Sequence, residues 1–230
     1  MSDNDLLPIL LTIPFVASAV LAFVPVHARN LAAWLSGLSA LAALGITAVL
    51  YGSVRGGNVV RNKIEWLPSL GLDFDLRLDG FAWIFAILIT AIGFLVVLYA
   101  RYYISKDDPM PRFFAYLLSF MGAMLGIVLS GNLILLAIFW ELTSIVSFLL
   151  IGYWHQNAAA RDGARMALTV TGIGGLCLLV GLLIVGHIVG SYDLDRVLAA
   201  GDQIKGHALY LPALILILMG ALTKSAQFPF

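Results

Sequence analysis

The chain has 230 residues, 61% of them hydrophobic and 11% charged, and its 13 basic and 13 acidic side chains give a net charge of zero. Soluble globular domains carry about 25% charge and about 45–50% apolar residues, so this composition excludes one. With no basic patch interleaved with aromatics, it also excludes a nucleic-acid interface. Cys177 is the single cysteine, which rules out an internal disulfide framework and any cysteine-cluster metal site. Mid-span in GGLCLLVG, it reads as a small hydrophobic filler.

Seven apolar runs follow one another, each near the ~20 residues that cross the hydrocarbon of a bilayer. They cover about 6–25, 31–51, 81–103, 113–129, 133–154, 166–190 and 208–230. The fold class is therefore an all-α integral membrane protein, a polytopic bundle of about seven transmembrane helices. The opening MSDND lacks the positive n-region of a signal peptide, so the first run is expected to remain as a helix. Pro8 and Pro14 invite a kink there, which membrane helices tolerate when neighbours satisfy the backbone.

Between the second and third runs, Leu72, Phe74, Leu76 and Leu78 alternate with Asp73, Asp75, Arg77 and Asp79. That period of two predicts a half-buried strand. With NKIEW before it and an LPSLG turn between, a β-hairpin is expected over about 57–79. Pro109 and Pro111 suit the start of the fourth helix, and Gly131-Asn132 makes a short turn into the fifth. DLDRVLAAGDQIK (193–205) predicts a short helix lying along the membrane surface.

Arg29, Arg101, Lys106, Arg112, Arg161 and Arg165 fall in the short loops after spans one, three and five. The other side carries as many basic residues, but in long loops that also hold most of the acids. Because orientation follows Lys and Arg in short loops near span ends, these loops are expected in the cytoplasm. The N-terminus and hairpin are then extracytoplasmic.

Within the spans, two residues are formally charged away from the ends: Glu141, in AIFWELTSIVSFLLIGYW, and Lys224, in ALTKSAQFPF. A charge at the bilayer centre costs roughly 2.5–3.5 kcal/mol on insertion scales, so it persists where it has a partner or a task. One reading is a structural ion pair pinning two helices, because buried pairs are weak evidence for more. The other is a proton relay. Thr143, Ser144 and Ser147 lie beside Glu141, with Ser144 on its face at i+3. Around Lys224, beside Thr223, the apolar run stops and Gly220 and Pro229 flank the polar cluster, a pattern of discontinuous helices that hold transport sites. A lysine and a carboxylate that share a low-dielectric site each bias the proton held by the other.

His187, late in span six, is a candidate to extend a proton path or a helix-end histidine bonded to backbone or water. His155, His27 and His207 are interfacial or loop positions. Trp34, Trp66, Trp83 and Trp154 lie mostly near interfaces, as aromatic belts do; Trp140 is the exception, next to Glu141. No nucleotide loop, haem dipeptide, catalytic triad or metal-ligand spacing appears, so neither cofactor nor metal is expected.

FWELTSIVSFLLIGYW, preceded by FMGAMLGIVLSGNLILL and LDGFAWIFAILITAIGFLVVLYARYYIS, resembles the N-terminal part of the A-type subunit of Mrp-type (Pha-type) monovalent cation/proton antiporters. That family is similar to the large antiporter-like proton-pumping subunit of respiratory complex I. The match is strongest over about 78–155 and 220–230, and WELTS and GAMLGIVLS lean toward the antiporter. The resemblance implies inverted repeats, a broken seventh helix, assembly with other membrane subunits, and exchange of Na⁺ or K⁺ for H⁺ across the bacterial cytoplasmic (inner) membrane. It carries the span-five glutamate onto Glu141 and the span-seven lysine onto Lys224 as proton-transfer groups, with Thr143, Ser144, Thr223 and His187 as supporting polar residues. It implies a secondary transporter component rather than an enzyme. The family continues past the position of Phe230, so a fragment that transports nothing by itself is expected. The alternative is a proton-pumping membrane subunit of an NADH:quinone oxidoreductase or membrane-bound hydrogenase; a third reading is a scaffold in which the pair is only structural.

Overall fold

The computed structural model describes residues 3–67 and 72–228. Its elements run α1 (Asp3–Ala22), α2 (Arg29–Val54), β1 (Val60–Leu67), β2 (Leu72–Leu78), α3 (Gly80–Tyr103), α4 (Met110–Leu129), α5 (Leu133–Ile151), α6 (Ala158–Val189), α7 (Leu194–Ala199), α8 (Gly201–Lys205) and α9 (Tyr210–Lys224). The first six long helices, α1 to α6, are each long and apolar enough to cross a membrane. The small sheet pairs β1 with β2, antiparallel because four intervening residues are too few for a parallel crossover. The expected LPSLG turn falls mostly on 68–71, outside the described residues.

Several boundaries differ from the apolar runs for local reasons. The sixth helix starts at Ala158 rather than near 166, because the Asn157 side chain caps the Ala159 N–H at 2.9 Å. Its first turns carry Arg161, Asp162 and Arg165, which a hydropathy window skips. Residues 193–205 form two short helices rather than one, the first capped by the Asp193 side chain on the Arg196 N–H at 3.1 Å. Helix α1 runs unbroken through Pro8 and Pro14. Asp75, expected on the polar face of the hairpin, is 2% exposed; its backbone carbonyl accepts the Gly131 N–H at 2.8 Å, which ties the edge of β2 to the turn before α5.

The chain divides into two compact units, Met1–Asn62 with Leu76–Leu129, and Lys63–Asp75 with Ser130–Phe230. In the first, α1 packs on α4 and α2, and α2 on α3. Leu7, Leu10, Leu50, Phe114, Leu118 and Leu125 are fully buried. Ser36, Thr47 and Thr90 each donate to the carbonyl four residues back, Ser18 on α1 donates to the Ala115 carbonyl of α4 at 2.7 Å, and the Ser39 hydroxyl is buried without a partner. Arg29 donates to the carbonyls of Ile104, Ser105 and Asp108 just past α3, where a helix end leaves acceptors free.

In the second unit α6 is the central element, packed on both α5 and α9. Leu133, Ala137, Leu178, Leu182, Val185 and Ala213 form its apolar core. Helix α9 is short: 15 residues rise about 22 Å, less than the ~30 Å of a hydrocarbon core. It closes in a Schellman arrangement, in which Gln227 N–H bonds the Leu222 carbonyl at 3.0 Å and Ala226 N–H that of Thr223 at 3.4 Å. Glycine usually occupies the left-handed position of that motif; here Ala226 does, at φ 49°.

Candidate functional site

The start of α5 is fixed by backbone. Asn132 accepts the N–H groups of Ile134 and Leu135 on its side-chain oxygen, satisfying donors that a helix N-terminus leaves free. Its neighbours bind the turn after α6: Leu133 N–H to the Tyr192 carbonyl and Leu194 N–H to that of Gly131, both 2.9 Å. Glu141 then lies two turns in, about 12 Å along the axis by helical rise.

Small residues set the depth at which α6 receives its neighbours, as in membrane helix packing generally. A Cβ on Gly181 would meet Ile217 Cγ1 at 2.7 Å, and one on Gly220 would meet Leu178 Cβ at 2.6 Å and the Gly174 carbonyl at 2.8 Å. Thr223 fits over Gly174, and Glu141 Oε1 occupies the space where a Gly175 side chain would begin. Thr223 is 6% exposed and returns its hydroxyl to the Gly220 carbonyl at 2.9 Å.

Of the two charges, the lysine rests on a serine. Lys224 Nζ donates to Ser144 Oγ at 2.8 Å, and Ser144 is 1% exposed. Nζ also lies 5.7 Å from the Trp140 ring centroid, within cation–π range. Among the described residues Glu141 and Lys224 make no direct salt bridge, yet each acts on the other's charge through space. Glu141 Oε1 and Trp140 Nε1 are buried with no hydrogen-bond partner. Thr143 is fully buried and spends its hydroxyl on the Trp140 carbonyl at 2.7 Å.

Of the residues singled out in the sequence, Glu141, Ser144, Thr223 and Lys224 therefore gather where α5, α6 and α9 meet, while Thr143, about 200° around α5 from Glu141, closes onto its own helix. His187 does not join them: it sits exposed in the last turns of α6, about 18 Å along the helix from Gly175 by helical rise. Trp140, Gly174 and Gly175 belong to the cluster without having been singled out for it. The run GIGGLCLLVG held the signal for the glycines, since small residues in mid-span mark close helix approach. Among the described residues no three His, Cys, Asp or Glu side chains gather to hold a metal.

Residues 130–230 match the family described as NADH:quinone oxidoreductase/Mrp antiporter, TM. Residues 66–114 match the N-terminus of chain 5 of NADH-ubiquinone oxidoreductase (complex I). Over these two stretches the chain is similar to this antiporter-like membrane family. The family member from Rhizobium meliloti (strain 1021), named as the A/B-type subunit of a probable K(+)/H(+) antiporter, is 63% identical over 227 residues, 99% of this chain and 23% of that protein. The A-type subunit of the Na(+)/H(+) antiporter of Alkalihalophilus pseudofirmus is 42% identical over 94% of this chain and 27% of its own length. This chain thus spans about a quarter of the length of the curated relatives it matches.

Among solved structures, the Mrp complex from Dietzia sp. DQ12-45-1b matches with TM-score 0.84 and 29% identity, over 97% of this chain and 24% of that one. An archaeal membrane-bound sulfane sulfur reductase matches with TM-score 0.81 over 95% of this chain and 34% of that one, and at 21% identity it shows the shared fold. The multi-pass helical architecture with a small hairpin matches the fold of the Mrp complex chain.

Proposed function

We propose that this chain supplies proton-transfer machinery to a multisubunit monovalent cation/proton antiporter in a bacterial cytoplasmic membrane. Glu141 and Lys224 are the groups that gain and lose the proton, and Ser144 holds the ammonium. The observation that carries this reading is the Lys224–Ser144 hydrogen bond at 2.8 Å one turn from Glu141. A pair built only to pin two helices would be expected to close its ion pair and satisfy both partners. Here the charges stand apart with a hydroxyl beside the lysine, and one carboxylate oxygen is left without a donor. That arrangement has room for two states in which the proton resides on different groups.

The cargo we assign is K⁺, because the 63% identical relative carries K⁺ in its name while those at 42–48% carry Na⁺ where a cation is named. Other membrane subunits complete the assembly in this reading, which the naming of those relatives as antiporter subunits supports. We also place the N-terminus and hairpin outside and the short basic loops inside, by the distribution of Arg and Lys.

The test uses the complete complex in everted membrane vesicles, with a pH-sensitive dye reporting proton movement on addition of K⁺ or Na⁺. Glu141→Gln and Lys224→Ala are expected to reduce exchange to background while the complex assembles. Exchange at the parental rate in both variants would overturn the proton-transfer assignment. Loss of assembly in both would return the pair to a structural role.

A further inference from the structure

We infer that Gly175 is the positioning residue for Glu141: its missing side chain is the seat in which the carboxylate rests. The inference relies on the proposed reading of Glu141 as a proton carrier and extends it to a residue on a different helix.

Two glycines stand side by side on α6, and they do different things. Consecutive residues of an α-helix point about 100° apart, so Gly174 and Gly175 serve different neighbours. Gly174 faces α9, where a Cβ would strike Thr223. Gly181 lies two turns further along that same face, against Ile217 and the Ala213 carbonyl, and Gly220 answers from α9. These three make an ordinary close-packing stripe between two helices. Gly175 lies off that stripe. What fills its place is neither backbone nor an aliphatic side chain but Oε1 of Glu141 on α5, followed by Cδ at 2.6 Å and Oε2 at 3.3 Å from where a Cβ would stand.

That same Oε1 is buried without a hydrogen-bond donor. The hydrogen that glycine carries in place of a side chain points at it, which gives the oxygen a weak Cα–H contact and no strong one. The carboxylate is therefore held in place by shape. Any side chain at 175 must push it aside, and the nearby Lys224 and Ser144 stay where α9 and α5 hold them. The result is a change in the spacing between the two proton-holding groups, brought about by a residue that titrates nothing.

A double-mutant cycle in the complete complex tests this. Gly175→Ala is expected to lower cation-dependent exchange by up to about a hundredfold, the loss that a misplacement of about 1 Å brings to a reacting group, and to alter the shape of the pH profile. Glu141→Asp withdraws the carboxylate by one methylene. Placed in the Gly175→Ala background, it is expected to recover exchange at least several-fold over Gly175→Ala alone and to return the profile toward that of Glu141→Asp alone. In the Gly174→Ala background it is expected to recover nothing, since Thr223 is the obstacle there.

Exchange at the parental rate with an unaltered profile in Gly175→Ala, or purely additive losses in the double variant, would overturn the inference. If Gly175→Ala prevents assembly, restoration of assembly by Glu141→Asp supports the contact and failure to restore it overturns it. Glu141→Gln separates the two layers. Parental exchange in that variant removes the underlying reading, whereas its loss together with parental behaviour in Gly175→Ala removes only the role of Gly175.

Discussion

The glycines that admit a neighbour in the first unit admit hydrocarbon or thioether, and those of the second admit polar groups as well. A Cβ on Gly122 would press into the Phe15 ring at 2.9–3.0 Å, and one on Gly93 would meet Met121 Sδ at 2.6 Å. On α6 the corresponding occupants include the Thr223 hydroxyl and the Glu141 carboxylate. The backbone device is the same in both, and it lets helices approach closely in a solvent as apolar as their own side chains. What differs is whether the space created ends in dispersion contacts or in an ionisable group. The first unit reads as a packed scaffold: Ser36, Thr47 and Thr90 are closed onto their own helices, and the buried hydroxyl without a partner there, Ser39, carries no charge. The second leaves a carboxylate oxygen without a donor and places a lysine on a serine.

The comparison breaks most sharply at Ser144. If the second unit is poised around Lys224, removing the hydroxyl that accepts from the lysine should damage exchange and leave the fold intact. Hydrogen bonds to charged groups contribute about 1.5–3 kcal/mol, so Ser144→Ala is expected to lower exchange by roughly tenfold or more. Ser144→Thr, which keeps a hydroxyl, should retain most of it. Initial rates of dye response in vesicles, normalised to assembled complex, measure this. Equal rates in all three proteins would show that the serine only happens to lie there.

Gly122→Ala sharpens the contrast from the other side. Overpacking a well-filled interior costs about 1–3 kcal/mol, so this variant should lower the thermal midpoint of the detergent-solubilised complex. Phe15→Leu in the same chain should give part of it back by shrinking the obstacle. Exchange per assembled complex should stay near parental, whereas Gly175→Ala is expected to lose exchange. Similar loss of exchange from both glycine variants would erase the distinction between the units.

Much of this was legible along the chain, for reasons that differ by residue. Apolar runs near span length are a one-dimensional signal, so the long helices stand out, and the alternation from Leu72 to Asp79 marks a strand. Glu141 and Lys224 are visible because a charge is conspicuous in hydrocarbon, and Ser144 because i+3 shares a helix face. The seat at Gly175 was not legible. It depends on the rotation and register of α5 against α6, and a glycine among many in mid-span says only that something approaches. The burial of Asp75 was hidden for a related cause: alternation assigns faces of a strand but not what packs on them, and this residue is 2% exposed. The distance of His187 from the pair was not visible in composition, since a titratable residue on the same helix can lie several turns away on an exposed face. The α6 start at Ala158 was hidden because charges at a helix end count against a hydropathy window while Asn157 caps it.

Smaller effects are expected at the two helix ends that flank these units. Ala226 adopts a left-handed conformation at φ 49°, which costs a non-glycine residue roughly 1–2 kcal/mol. Ala226→Gly should relieve part of that, raising the thermal midpoint slightly; a lower midpoint would mean that the Schellman arrangement tolerates the methyl group freely.

At the start of α3, the Asp79 side chain accepts the Ala82 N–H at 2.8 Å and pairs with Arg77 at 2.7 Å. Partial burial by itself would raise its pKa, but the Ala82 N–H, the Arg77 hydrogen bond and the Arg77 charge outweigh that and hold the carboxyl below its ordinary value of 3.8. A depressed folded-state value means that the cap's contribution is fully present above the unfolded value and fades as pH falls through the folded one. The stabilisation should therefore be constant from neutral pH down to about 5 and decline below about 4, the ordinary carboxylate range. Asp79→Ala should cost about 1 kcal/mol, as loss of an N-cap does, and its penalty in thermal midpoint should shrink on acidification toward that range. A penalty that stayed constant through that range would assign Asp79 a packing role instead of a charged cap.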